Sequence, residues 1–302
     1  MISTALYCGT HWDEQGRWFY ELLGEDGNTE LLPGVGTRLA FRVTEGRFCL
    51  GYRGFDGVRW GRLACPKGAR VESGRQCESC RLTEGWSVVH NHRGPLAALP
   101  AQVRDYIAQP HHLYIAYFGD GMTKVGTASA VRRNRRLFEQ GALVARFIID
   151  SPDGLHVREL ERAVTEHAGI GQTVAGVTKT RILTKPLRPW SALEAAVAAA
   201  ADHAASALPA ELTRTDVTWS GGREFYDTIR TRGRFPKAVE FSGEPGEHLL
   251  DAVAAHGHTI ACRDPAGASE LLLVNDSRLI GRRIHLDPDI IAVPEPAQTS
   301  LF

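Results

Sequence analysis

Four of the six cysteines in this 302-residue chain crowd into one stretch: Cys49, Cys65 with Pro66 after it, and Cys77-Glu78-Ser79-Cys80. A Cys-x-x-Cys pair turns two thiolates toward one tetrahedral centre, and two further cysteines complete the ligand set of a structural zinc. His90 or His92 could replace one of them. Fifteen residues separate Cys49 from Cys65, a looser spacing than paired knuckles show. The surrounding text is rich in Gly and Arg and poor in large apolar residues, so bound metal would supply folding energy that a small core cannot. The competing reading is a reduced surface Cys-x-x-Cys with two unrelated thiols. A redox dithiol normally opens a helix, and Arg81-Leu82-Thr83-Glu84-Gly85 reads as a poor one. Cys8 and Cys262 sit in strand-like text and are expected to be buried thiols.

Charge supplies the second signal. The chain is neutral overall, with 35 basic and 35 acidic residues, yet residues 1–40 sum to −4, residues 41–190 to +10 and residues 191–302 to −6. A basic middle between acidic ends suits a surface that faces phosphate. Within it stand Arg132, Arg133, Arg135 and Arg136, expected to bind nucleic acid chiefly through Arg132, Arg133 and Arg136. No apolar run is long enough for a bilayer, and no export signal precedes the first strand. A reducing cytoplasm is therefore the expected location, with no membrane partner. Composition leaves the oligomeric state open.

These residues need a frame. Residues 1–48 read as short strands over 5–9, 18–22 and 38–43, punctuated by glycine. Residues 49–94 form the cysteine segment. From 95 to 190 the pattern gives a helix to Ala108, a hairpin over Leu113–Phe118 and Met122–Gly126, and an Arg-rich helix capped by Ser129 and stopped by Gly141. An apolar strand over Leu143–Ile149 and a helix opening on Asp153 and closing at Gly169 follow. Residues 191–302 begin with an Ala-rich helix, whose Ser191 and Glu194 suggest a capping box, and continue as strands. The expected class is α+β with β-rich regions at both ends.

The order β-β-α-β-α carries His112-Leu113-Tyr114 on the first strand and Lys124-Val125-Gly126 at the end of the second. Arg135 and Arg136 lie in the first helix and Glu161 in the second. This resembles the GIY-YIG nuclease superfamily. Taken with the four cysteines, it is similar to a domain-of-unknown-function family that pairs such a zinc site with a GIY-YIG-like core. Tyr114 stands where the first motif keeps its tyrosine, whereas Lys124 replaces the second. The resemblance implies Tyr114 as a proton-transfer group, Arg135 or Arg136 on the scissile phosphate, Lys124 as an added charge and Glu161 as ligand of a catalytic Mg²⁺ or Mn²⁺. Phosphodiester hydrolysis wants an activated water, a cation on the developing charge and a metal held by carboxylate.

Three functions follow as expectations. The first is a zinc-stabilised protein that engages nucleic acid through residues 41–190, with divalent-metal-dependent nuclease (hydrolase) activity as its concrete chemistry. The second keeps DNA or RNA binding without catalysis. The third is an enzyme on a small substrate that reuses the cleft, with His111 and His112 as acid/base candidates.

Overall fold

The computed structural model describes residues 3–55, 60–85, 96–99, 101–186, 188–230, 237–240, 245–264 and 271–290. His90 and His92 lie outside them. Seven α-helices and several sheets make the fold mixed α+β among the described residues, and none of these helices is long and apolar enough to cross a membrane.

Two sheets organise the chain. In the first, β1 (Thr4–Trp12), β2 (Trp18–Gly24), β3 (Thr29–Pro33) and β4 (Arg38–Val43) come from the N-terminal end. From the C-terminal end come β11 (Lys237–Glu240), β12 (Gly246–His256), β13 (Thr259–Arg263), β14 (Leu271–Asn275) and β15 (Arg283–Leu286). They interleave in the order β11-β14-β13-β12-β4-β15-β1-β2-β3. The acidic ends of the chain thus share one sheet, with β15 inserted between β1 and β4. A short hairpin, β5 (Tyr52–Phe55) and β6 (Trp60–Leu63), and helix α1 (Glu78–Glu84) carry the cysteine segment. The expectation of a poor helix after Cys80 is corrected here. Cys77 stands at the N-terminus of α1, and Gly85, at φ 76°, closes it by donating to Arg81 O.

The second sheet is antiparallel, in the order β10-β9-β7-β8, built from β7 (His111–Tyr117), β8 (Thr123–Ser129), β9 (Val144–Ser151) and β10 (Arg214–Trp219). Helix α2 (Ala101–Ile107) precedes β7. Helix α3 (Arg133–Gln140) separates β8 from β9, and α4 (Gly154–Ala168) follows β9, so the β-β-α-β-α order is observed. Strand alternation divides the side chains. Leu113, Ile115 and Val125 pack with α4, with α6 (Trp190–Ser206) and with Phe225, Tyr226 and Ile229 of α7 (Arg223–Arg230). Tyr114, Ala116, Ala128 and Phe147 face the large sheet, joining Tyr7, Trp18 and Tyr20 in one core with Phe138 of α3 stacked on Trp12.

Two expected caps are corrected. Ser129 is fully buried and makes no cap bond; instead Glu14, in the β1–β2 turn, accepts from the backbone N–H of Asn134 and Arg135. A carboxylate at a helix N-terminus meets the same unpaired donors that a local serine would. Nor does Ser191 cap α6: Pro189 precedes the helix, and Glu194 accepts from Trp190 Nε1 at 2.8 Å. Asp153 does cap α4, accepting from Leu155 and His156 at 2.8 Å each.

Gly126 lies opposite Tyr114 in the β7–β8 register, and the phenol ring crosses directly above it. A methyl group there would meet the Tyr114 hydroxyl at 2.6 Å. Tyr114 is wholly buried and bonded to Gln140, so the ring cannot easily yield. Gly126→Ala is expected to cost about 1–3 kcal/mol as overpacking, read as a lowered urea midpoint; an unchanged midpoint would contradict this packing.

Candidate functional site

Backbone turns aim the four sulfurs of Cys49, Cys65, Cys77 and Cys80 at one point. Their ligand atoms all lie within 4.8 Å of one another, with Cys65 and Cys77 at 3.9 Å. Four Zn–S bonds of ~2.3 Å in a tetrahedron require S···S separations of about 3.8 Å, so the cluster fits a metal ion such as zinc with slight contraction. Cys49 Sγ accepts from the N–H of Gly51 at 3.4 Å and of Cys77 at 3.1 Å, bonds that favour thiolate over thiol. Among the described residues this is the one group of three or more His, Cys, Asp or Glu close enough to share an ion.

The cysteine segment also forms one wall of a cavity of about 480 Å³. The second wall comes from the large sheet and the third from the β7–β9 module. Eight Lys and Arg side chains line it: Arg53, Arg62 and Arg75 from the cysteine segment, Lys124 from β8, Arg132, Arg135 and Arg136 from the start of α3, and Lys179 from helix α5 (Gly176–Ile182). Two carboxylates oppose them, and both are already paired. Glu21 binds Arg62 at 2.8 Å and meets Arg53 at 4.0 Å; Glu139 bridges Arg132 at 2.9 Å, Arg135 at 2.8 Å and Arg136 at 4.0 Å.

The deepest cations repel one another. Lys124 is 8% exposed and has no hydrogen-bond or ion-pair partner among the described residues. Burial, reinforced by Arg136, pushes its ammonium down to about 8, against the pull of Glu161. Lys179 donates to Gln140 O at 2.7 Å and lies 4.3 Å from the centre of the Phe118 ring; burial, with Lys124 and Arg136 nearby, brings it down to about 7. An anion in this space would relieve the repulsion and favour both charged forms.

The residues proposed from sequence divide between this cavity and its back wall. Lys124, Arg132, Arg135 and Arg136 line it, whereas Arg133 turns away and lies 4.2 Å over the Phe147 ring. Tyr114 stands behind the lining, its hydroxyl donating to Gln140 Oε1 at 2.9 Å, and burial raises its phenol to about 12. Glu161 on α4 also stands outside the lining. Burial raises its carboxyl, while Lys124, Arg158 and Arg136 pull it back down. Cations thus flank this carboxylate, and no group of three or more close-set His, Cys, Asp or Glu among the described residues includes it. His111 and His112 are elsewhere: His111 Nδ1 bonds Gln109 O at 2.7 Å beneath the Tyr106 ring, and His112 pairs with Asp150 at 2.6 Å.

Comparison with protein-family models, curated proteins and solved structures finds no match. The reading of the site therefore rests on its own chemistry. That chemistry includes residues which the motif pattern passed over. Lys179 and the histidines His256 and His258 join the lining from elements far apart in sequence, and only the basic excess of residues 41–190 foreshadowed the first of them.

Proposed function

We propose that this protein is a zinc-stabilised nucleic-acid-binding protein whose cavity receives the sugar-phosphate backbone. The observation that carries this reading is the lining itself: eight cations against two carboxylates already held in ion pairs. Guanidinium groups match phosphate oxygens in fork geometry, and lysines add point charges. A volume of about 480 Å³ is in the range of small-ligand clefts, with room for a phosphate and its attached nucleoside. A strand would therefore present one unit to the cavity at a time. The metal's part is architectural. Bound by Cys49, Cys65, Cys77 and Cys80, zinc would hold the segment that carries Arg53, Arg62 and Arg75.

Titration of the full chain with fluorescent single-stranded DNA and a folded RNA tests this reading. Saturable binding is expected, and a DNA of the same sequence with a neutral methylphosphonate backbone should bind far more weakly. Equal affinity for the charged and neutral strands would contradict it.

Hydrolysis is the second reading. What favours it is the convergence of Tyr114, Lys124, Arg136 and Glu161 on one another, as a GIY-YIG-like core would require. Turnover of plasmid, single-stranded DNA and folded RNA should then appear in the wild type and fall in Glu161→Gln. Tight binding without turnover of any of the three would leave the binding function alone.

A further inference from the structure

The cavity lining also holds a histidine whose ring is fixed from both sides. His258 lies in the turn between β12 and β13, and Asp276 follows β14. The backbone ties the two together, the N–H of Asp276 donating to His258 O at 3.0 Å. Asp276 is fully buried. Its Oδ2 accepts from the Tyr7 hydroxyl at 2.7 Å, and its Oδ1 lies 3.0 Å from His258 Nδ1. On the opposite side of the ring, His258 Nε2 lies 3.1 Å from an Arg75 guanidinium nitrogen, and both side chains line the cavity. Arginine can only donate, so Nε2 accepts; Nδ1 then carries the ring proton and donates it to Asp276. This tautomer turns the Nε2 lone pair to the cavity side, the orientation a general base requires.

We propose that His258 is the proton-transfer residue of this cavity and activates water against a phosphodiester, with Asp276 and Tyr7 as positioning residues. The proposal rests on the reading of the cavity as a phosphodiester site. An incoming phosphate competes for Arg75 and draws the guanidinium away from Nε2, which frees the lone pair. Nε2 takes a proton from water as the water oxygen bonds to phosphorus. The bond from phosphorus to the leaving oxygen breaks, the electron pair departs with that oxygen, and an alkoxide so formed takes a proton from solvent. The imidazolium, stabilised by Asp276, returns its proton to solvent. Lys124, Arg136 and Lys179 supply fixed positive charge for the oxygens of the transition state. Tyr114 is not needed for proton transfer: it stands behind the lining with its hydroxyl committed to Gln140.

The test uses the full chain with bis(4-nitrophenyl) phosphate. Release of 4-nitrophenolate reports the attack step, because that leaving group needs no proton. Binding of a fluorescent single-stranded oligonucleotide is followed in parallel. His258→Ala should lower kcat by about 10²–10⁴ while changing oligonucleotide affinity little, and added imidazole should restore part of the rate. His258→Asn retains a side-chain donor toward Asp276, keeps the fold if alanine does not, and should lose the same activity. Asp276→Asn should lower kcat with KM retained. Wild type that binds the oligonucleotide yet releases no nitrophenolate overturns the assignment and leaves the binding function standing. Turnover unaffected by either His258 variant, or an His258→Ala loss that imidazole does not restore, also overturns it. Absence of both binding and turnover would instead remove the phosphodiester reading on which the proposal rests.

Discussion

Replacing Cys77 or Cys80 by serine is expected to release one zinc ion per chain and to unfold the segment from Cys49 to Glu84. Structural zinc sites contribute apparent binding energies of roughly 10–16 kcal/mol, which in a segment without a core is folding energy. Here the described side chains that the segment buries include little beyond Cys49, Leu50 and Cys80. Its remaining order comes from the short β5–β6 hairpin, helix α1, the Arg62–Glu21 pair and bonds around the cluster such as Leu50 N–H to Arg75 O at 2.9 Å, Gln76 to Gly51 O at 2.9 Å and Arg53 N–H to Glu84 at 2.9 Å. Without the metal, these mostly local contacts, with little buried apolar area behind them, must offset the entropy of ordering the segment. The cavity should lose its Arg53, Arg62 and Arg75 wall at the same time, so nucleic-acid affinity falls together with stability. Elemental analysis of protein purified without chelator, paired with thermal unfolding of wild type and Cys77→Ser, checks this. Zinc-free protein with alkylatable thiols and an unchanged Tm would contradict it.

Much of this arrangement was legible in the sequence, and what was not has physical reasons. The cysteine spacing announced its cluster because ligand geometry constrains residue type as well as position. The β-β-α-β-α order followed from local periodicity and from glycine and aspartate at element ends, signals that act within a few residues. The excess of +10 in residues 41–190 located all eight cavity cations, since every one of them falls in that span. Long-range pairing left no such trace. Nothing local in β15 says that it inserts between β1 and β4. Glu14 displaces Ser129 as the cap of α3 only because the β1–β2 turn packs there, and Asp276 meets Tyr7 across 269 residues. The helix at Cys77–Gly85 was underestimated for a similar reason: weak propensity yields when two of the residues are anchored in a shared cluster. His258 carried no motif at all; its orientation is a product of three segments meeting.

Removing the three interacting cations should have the second-largest effect. Lys124→Met, Arg136→Met and Lys179→Met together keep the aliphatic bulk and discard the charge, so binding of any nucleic acid should weaken regardless of its sequence. Glu161→Gln should act oppositely and modestly, since it removes a carboxylate whose charge acts on Lys124 and Arg136. The lysines also set the pH dependence. Their ammonium groups are brought down to about 8 for Lys124 and about 7 for Lys179, below the ~10.4 of an unfolded lysine. In the free protein they therefore shed protons through that window while the unfolded chain still holds them, and stability rises with pH there. Bound phosphate reverses the preference, so affinity should fall as pH rises from about 6 to 9, and binding near pH 8 should take up protons. Calorimetry in two buffers of different ionisation enthalpy reads that uptake directly.

The central claim is that the phosphate backbone occupies this cavity, and the salt dependence of binding tests it most directly. Affinity for a single-stranded oligonucleotide is measured at pH 6, where both lysines are charged, across a range of salt concentrations. Each neutralised phosphate contributes about −0.7 to the slope of log K against log salt for single strands. Wild type should therefore show a negative slope, and the Lys124, Arg136 and Lys179 triple variant, which no longer neutralises the one phosphate held in the cavity, a slope flatter by about 0.7. Binding indifferent to salt, or a triple variant with the slope and affinity of wild type, would contradict the account.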